Sequence, residues 1–291
     1  MPLPFMGLTF TRLTPDALAA LVRQRIAAPL SYVATPNAAH IAALEQADAA
    51  TTAAYLGADL HVCDSRIVAA LAALAGKHLP PYAGADITAD LLGETALGPL
   101  AIGLVGPSAR DVAMLQARHP HHRFHHIHAP HCLQPGSPDW RAALEAAYEK
   151  DWQVLLVCLS FPRQELFAAQ LRAMPPRLGL VLCVGAAVDF LTGVQRRPPR
   201  LVRRLGLEWL FRLLADPRRL WRRYLLESPR IFRLFWRLEV MPPSRRAIAG
   251  AKAYAYQILR KRVPWLPIPS SLTSTAPSST PFPTLPPPSP N

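Results

Sequence analysis

Asp64 is the residue best suited to take a proton. It follows the apolar run 59–63, and a carboxylate at the end of a buried strand is partly desolvated, which raises its basicity. The same residue could instead cap a helix starting near Ile67. Thr35 and Asn37 carry groups able to hydrogen-bond a sugar or a base, although Asn37 equally suits a plain helix cap. Gln164 and Glu165 open a helical pattern, where Glu165 could simply complement the helix dipole. Asp86, in Gly84-Ala85-Asp86, could accept from a hydroxyl or cap a helix beginning at Ile87. Arg212, Arg219 and Arg222 recur at spacings of seven and three, close to one helical face. They run beside a stripe of Leu205, Leu207, Leu210, Leu213 and Leu214. Guanidinium groups so placed suit a phosphorylated ligand held near a membrane surface.

These residues need elements to position them. Up to about residue 190, short apolar runs (30–34, 59–63, 100–105, 123–127, 154–159 and 178–184) alternate with longer helical patterns (37–50, 67–74, 139–150 and 162–172). Such alternation predicts a doubly wound, Rossmann-like α/β domain whose parallel sheet is covered on both faces. Ligands bind such sheets outside the carboxyl ends of the strands. Thr35-Pro36-Asn37, Asp64-Ser65-Arg66, the segment 162–165 and Asp189 would then share one edge. Beyond the sheet, Pro217 is expected to open a new helix after Asp216.

Charge divides the chain. Residues 196–262 hold 19 Lys and Arg against 4 Asp and Glu, a net of +15, so the remainder carries −2. The expected division is an α/β core (1–195), a basic amphipathic helical appendage (196–263) and a disordered tail (264–291) with ten prolines. No apolar run reaches the ~18–20 residues that span a bilayer, and no signal peptide is expected. Cys63, Cys132, Cys158 and Cys183 lack metal-type spacing and read as free thiols in a reducing compartment. Seven of the ten histidines fall within 119–132, but His121, His125 and Cys132 match no standard zinc pattern, so no metal is expected. The Gly103–Gly106 segment lacks the remaining residues of a nucleotide-phosphate loop. The aromatics of the basic segment have a helical period that fits burial or membrane insertion better than nucleic-acid binding, which is not expected.

Several segments together resemble a known family. They are VATPNAAHI at 33–41, HVCDS at 61–65, YAGADIT at 82–88, IGLVGPS at 102–108, SFPRQE at 160–165, and GAAVDF with the arginine-rich run after it. In this order they resemble the bacterial WecG/TagA/CpsF glycosyltransferases over about residues 8–225. The resemblance implies an inverting transferase that uses a UDP donor carrying an N-acetylhexosamine-type or related sugar. Its acceptor would be a sugar on a polyprenyl diphosphate, at the inner face of the cytoplasmic membrane. It implies no cofactor and no divalent metal.

The family's base falls on Asp64, its substrate-binding Thr and Asn on Thr35 and Asn37, its glutamine on Gln164, and its appendage arginines on Arg212, Arg219 and Arg222. Three positions depart from the family pattern. Ser65 replaces a glycine, Tyr82 stands where an arginine is common, and Ser160 replaces another glycine. These departures leave the donor sugar open, together with a non-catalytic scaffold of the same fold. A homo-oligomer is also left open.

Overall fold

The computed structural model describes residues 2–94, 97–130, 133–195, 199, 202, 207–221 and 229–241, without the side chains of 208, 209, 212, 215, 219 and 220. The proline-rich tail, Arg222, Leu205 and Cys132 lie outside the described residues. Residues up to Met241 form one compact unit, and 242–291 fall in a second, outside the described residues.

The chain opens with a hairpin, β1 (Leu3–Phe5) and β2 (Leu8–Phe10), closed by Met6 and Gly7 at positive φ. Leu3, Phe5, Leu8 and Phe10 alternate inward, as a half-buried strand pair requires. After α1 (Pro15–Ile26) come β3 (Ser31–Ala34), α2 (Ala38–Leu44), α3 (Ala49–Leu56), β4 (Leu60–His61) and α4 (Arg66–Leu74). Next are α5 (Gly84–Gly93), β5 (Ala101–Val105), α6 (Ala109–Arg118), β6 (Arg123–Ile127) and α7 (Pro138–Glu149). The sheet is completed by β7 (Val154–Val157), α8 (Arg163–Ala173), β8 (Leu180–Cys183) and α9 (Ala187–Thr192).

The strand order is β1-β2-β4-β3-β8-β7-β5-β6, and every pairing except β1–β2 is parallel. This is the expected doubly wound sheet with an antiparallel hairpin added at one edge. β3, β7 and β8 are buried along their whole length. Val33, Ile102, Leu104, Val154, Leu156, Leu180 and Leu182 face α1, α5, α6 and α9, while Tyr32, Val105, Leu155, Val157 and Val181 face α7 and α8. Each such side chain contributes roughly 1.5–3 kcal/mol of burial.

Three local expectations change. The helix expected over 37–50 is two helices, because Asp48 caps a new start by accepting from Thr51 N–H at 2.7 Å. The strand expected over 59–63 is shorter, Leu60–His61, although Val62 and Cys63 stay buried and Val62 N–H still donates to the Ala34 carbonyl at 3.0 Å. The first hairpin and α1 were absent from the expected alternation. Each hairpin strand has only three residues, too few for an alternating pattern to stand out before the strands pair.

In the C-terminal part, α10 (Glu208–Ala215) and α11 (Pro217–Trp221) break at Asp216, as Pro217 predicts. A further helix, α12 (Arg230–Phe235), runs into a π-helical turn (Trp236–Val240). Its Ile231, Leu234 and Phe235 are buried, and Phe235 lies 6.2 Å from Phe5. Glu239 accepts from Met6 N–H and pairs with Lys77, both at 2.7 Å. Arg237 pairs with Glu45 at 2.7 Å. Among the described residues, no helix is long and apolar enough to cross a membrane.

Candidate functional site at the carboxyl edge

The loops after β3 and β4 meet first. Thr35 is buried, and its hydroxyl donates to the Cys183 carbonyl at 2.7 Å, tying the end of β3 to the end of β8. Asn37 caps α2, its Oδ1 accepting from His40 N–H at 3.1 Å. Asp64 N–H donates to the Pro36 carbonyl at 2.9 Å, which places Asp64 alongside Thr35-Pro36-Asn37. Capping of α4 falls to Ser65, which accepts from Val68 N–H at 3.3 Å. The half-buried carboxylate of Asp64 is therefore not consumed as a cap. That also explains a serine where a glycine was expected. Burial pushes the neighbouring Cys63 thiol up to about 12, so it is no thiolate nucleophile at neutral pH.

The loops after β7 and β8 meet through Gln164. Its Oε1 accepts from Gly185 N–H at 2.9 Å, and its Nε2 donates to Glu165 Oε1 at 2.8 Å. Gln164 is 1% exposed and Glu165 0%, so both lie beneath the edge. Glu165 occupies the first turn of α8 and holds the Gln164 amide. Its other oxygen has no hydrogen-bond partner among the described residues. Burial pushes this carboxyl up to about 7, against the pull of the Gln164 amide. Ser160 accepts from Arg163 at 2.6 Å, a contact that a glycine could not make.

α5 closes the same edge from one face. It begins at Gly84, three residues before the expected start, and Ala83 occupies the cap position without a side-chain bond. Asp86 is thus a first-turn residue and not the cap. A Cβ at Gly84 would lie 3.1 Å from both Cα and O of Val184, so glycine permits this approach to the end of β8. Tyr82 is buried, and its hydroxyl donates to Asp90 at 2.7 Å. Burial, followed by Asp90, holds its phenol well above the usual range. Asp189, in the first turn of α9, accepts from Gln195 Nε2 at 2.8 Å. Arg212 and Arg219 sit on α10 and α11, their side chains outside the described residues, and Arg222 lies wholly outside them.

β5 and β7 are neighbours whose following connections lead in opposite directions, to β6 and to β8. Such a switch point is where open α/β sheets take ligands. Gly106, at φ +109°, lets the loop after β5 approach the loop after β7; a Cβ there would lie 2.8 Å from the Cys158 carbonyl. The structure thus brings Thr35, Asn37, Asp64 and Gln164 to the ends of β3, β4 and β7, with the end of β8 between them as the partner of Thr35 and Gln164.

Residue spacing alone did not single out His40. Its ring stacks on Phe161 at 4.7 Å and faces Asn37, a contact visible in sequence only as a histidine three residues after a cap.

The histidine run is built differently. Its residues 119–127 form the edge strand β6 and the turn before it. His122 takes Leu100 N–H at Nδ1 (3.1 Å) and meets the Leu92 carbonyl at Nε2 (3.3 Å). Among the described residues, no group of three or more His, Cys, Asp or Glu is placed to hold a metal. His121, His122, Arg123 and Asp151 line an open cavity of about 690 Å³ at the amino edge, and none of the carboxyl-edge residues lines it. Arg123 is already paired with Asp151 at 3.4 Å and bonded to His125 at 3.1 Å. The carboxyl edge, where polar groups from separate strands converge, is the stronger candidate.

A family model for the glycosyl transferase WecG/TagA/CpsF family matches residues 3–245. That span takes in the whole sheet, the carboxyl edge and the described C-terminal helices. The family consists of glycosyltransferases of cell-surface polysaccharide synthesis, and with most of its length matched, this chain belongs to it.

Proposed function

We propose that this protein is an inverting glycosyltransferase. It moves an N-acetylhexosamine-type or related sugar from a UDP donor to a sugar carried on a polyprenyl diphosphate. The observation that carries this reading is Asp64, fixed beside Thr35-Pro36-Asn37 by its backbone bond to Pro36 while Ser65 caps α4. Asp64 takes the proton from the acceptor hydroxyl as that oxygen attacks the anomeric carbon. The bond from that carbon to the diphosphate breaks, and UDP leaves with the electron pair. Thr35, Asn37 and Asp86 orient the substrates, while Gln164, held by Glu165, sets the loop after β8.

Arg212, Arg219 and Arg222 oppose the charge that grows on the leaving diphosphate, so the reaction needs no divalent metal. The segment 196–263 is an appendage to the core 1–195 and docks on the inner face of the cytoplasmic membrane. Phe232 and Trp236 support this docking, since both are more than half exposed beside Arg233 and Arg237.

A second reading, a non-catalytic scaffold of the same fold, is favoured by one observation. Tyr82 turns toward Asp90 and supplies no guanidinium where the family commonly has arginine. The two readings separate in one assay: transfer of radiolabel from a panel of UDP-sugars to a polyprenyl-diphosphate-linked sugar in detergent micelles. Transfer lost in Asp64→Asn supports the enzyme. No transfer from any donor favours the scaffold.

A further inference from the structure

We infer that His40 is a positioning residue for this reaction, its neutral imidazole holding the Asn37 amide in place. The inference rests on the reading of Asn37 as a substrate-binding residue.

Hydrogen-bond polarity settles the geometry. The group facing Asn37 on one side is the backbone N–H of His40, at 3.1 Å. An N–H only donates, so the atom it meets is the amide oxygen. The amide nitrogen, which also only donates, then faces His40 Nε2 at 3.1 Å. That ring nitrogen must present its lone pair, and in a neutral imidazole the proton then sits on Nδ1. Nδ1 faces the Tyr55 hydroxyl at 3.4 Å, whose oxygen accepts it. The tautomer follows from donors whose identity is not in question.

Packing holds the ring in this orientation. His40 is 7% exposed and stacks on Phe161, with centroids 4.7 Å apart and planes 19° from parallel. Tyr55 lies edge-on to both rings, at 6.2 Å from His40 and 5.7 Å from Phe161. Behind it, His61 stacks on Tyr55 at 5.9 Å, with its Nε2 at 2.9 Å from the Tyr55 carbonyl. Asn37 belongs to the loop after β3, and Phe161 to the loop that leads from β7 into Gln164. One imidazole therefore spans two loops that the proposed reaction needs in register.

The test has two arms on the full-length protein. In the first, long-range proton–nitrogen NMR on ¹⁵N-labelled protein at pH 7.5 reads the tautomer of the histidine whose signals vanish in His40→Gln. A proton on Nδ1 is expected; a proton on Nε2, or a charged ring, overturns the inference whatever the activity.

The second arm uses the transfer assay. His40→Phe keeps the stack but removes the acceptor, and should lower kcat/KM roughly five- to tenfold, the worth of one neutral hydrogen bond. Its thermal midpoint shows whether it remains folded. His40→Gln, whose Oε1 can reach the Nε2 position, should recover most of that loss. His40→Phe combined with Asn37→Ala should be no worse than Asn37→Ala alone. Independent, multiplying losses would overturn the inference. If Asn37→Ala has no effect, the substrate role of Asn37 fails, and the functional half of this inference with it. If Asn37→Ala is impaired and His40→Phe is not, the His40 inference fails by itself.

Discussion

The carboxyl edge and the histidine-rich end of β6 are both dense in titratable groups, yet they are built to opposite ends. At the carboxyl edge, side chains tie together the ends of separate central strands: Thr35 at the end of β3 to Cys183 at the end of β8, and Gln164 after β7 to Gly185 after β8. At β6, the bonds tie one edge strand and the turn before it to their immediate neighbours in the fold, as in Arg123 with His125 and Gln116 with the His122 carbonyl. His122 has a backbone partner at each ring nitrogen, and His126 meets the Pro107 carbonyl at 3.0 Å. The density of ionisable residues therefore does not mark a site. Convergence of polar groups from separate loops does, because each such bond fixes a geometry that only the folded sheet can provide.

Four measurements can break or sharpen this contrast. The largest effect belongs to Asp64→Asn, expected to lower kcat by about 10²-fold or more, as loss of a general base does, with little change in thermal midpoint. A drop of less than threefold would remove the carboxyl edge as the site of proton transfer.

Second is the pairing of Arg219→Ala with Arg260→Ala. The first should cost about 10²-fold in kcat, as losing a group that opposes transition-state charge does. The second should cost less than about twofold, as a surface-docking charge. Equal losses would separate the appendage from the chemistry.

Third are opposite pH slopes at the two regions. Burial raises the Glu165 carboxyl from an unfolded value of 4.5 to about 7. Between those values the folded state binds more protons than the unfolded one, so this stability is full below about 4.5 and lost as pH rises to about 7. Burial lowers His122 from 6.5. Its contribution is present above 6.5 and lost as pH falls below it. Glu165→Gln should flatten the alkaline side of a midpoint-against-pH profile, and His122→Asn the acid side. A gain of about 2–4 °C for Glu165→Gln at pH 8 would correspond to roughly 1 kcal/mol.

The smallest effects belong to His121→Ala, His125→Ala and EDTA treatment, each expected to change transfer by less than about twofold, since these changes are remote from the proposed chemistry. A chelator-sensitive enzyme would reopen metal chemistry in the histidine run.

Much of the fold was legible because its signals are local. Ala101–Val105 and Val154–Val157 are short apolar runs between helical patterns, and Pro217 marks a helix start through its backbone geometry. The strand-end residues Thr35, Asn37, Asp64 and Gln164 followed once strand and helix alternated. The hairpin at Leu3–Phe10 did not stand out, since each strand is only three residues long and its pairing with β4 is non-local. Nor did the break in the helix after Asn37, where a cap at Asp48 outweighs a continuous alanine-rich pattern.

By itself, then, the sequence determined the alternation of elements, the placement of polar residues after apolar strands, and the concentration of positive charge in one segment. These follow from hydrophobic period, capping and composition, all of which act over a few residues. Only the tertiary structure decided that β8 inserts beside β3, which lets Thr35 bond Cys183 across 148 positions. It likewise buried Glu165 beside Gln164, gave the cap of α4 to Ser65 and not to Asp64, and stacked His40 on Phe161 beside Asn37. These outcomes depend on which surfaces meet when the sheet is covered, and no local pattern encodes that choice.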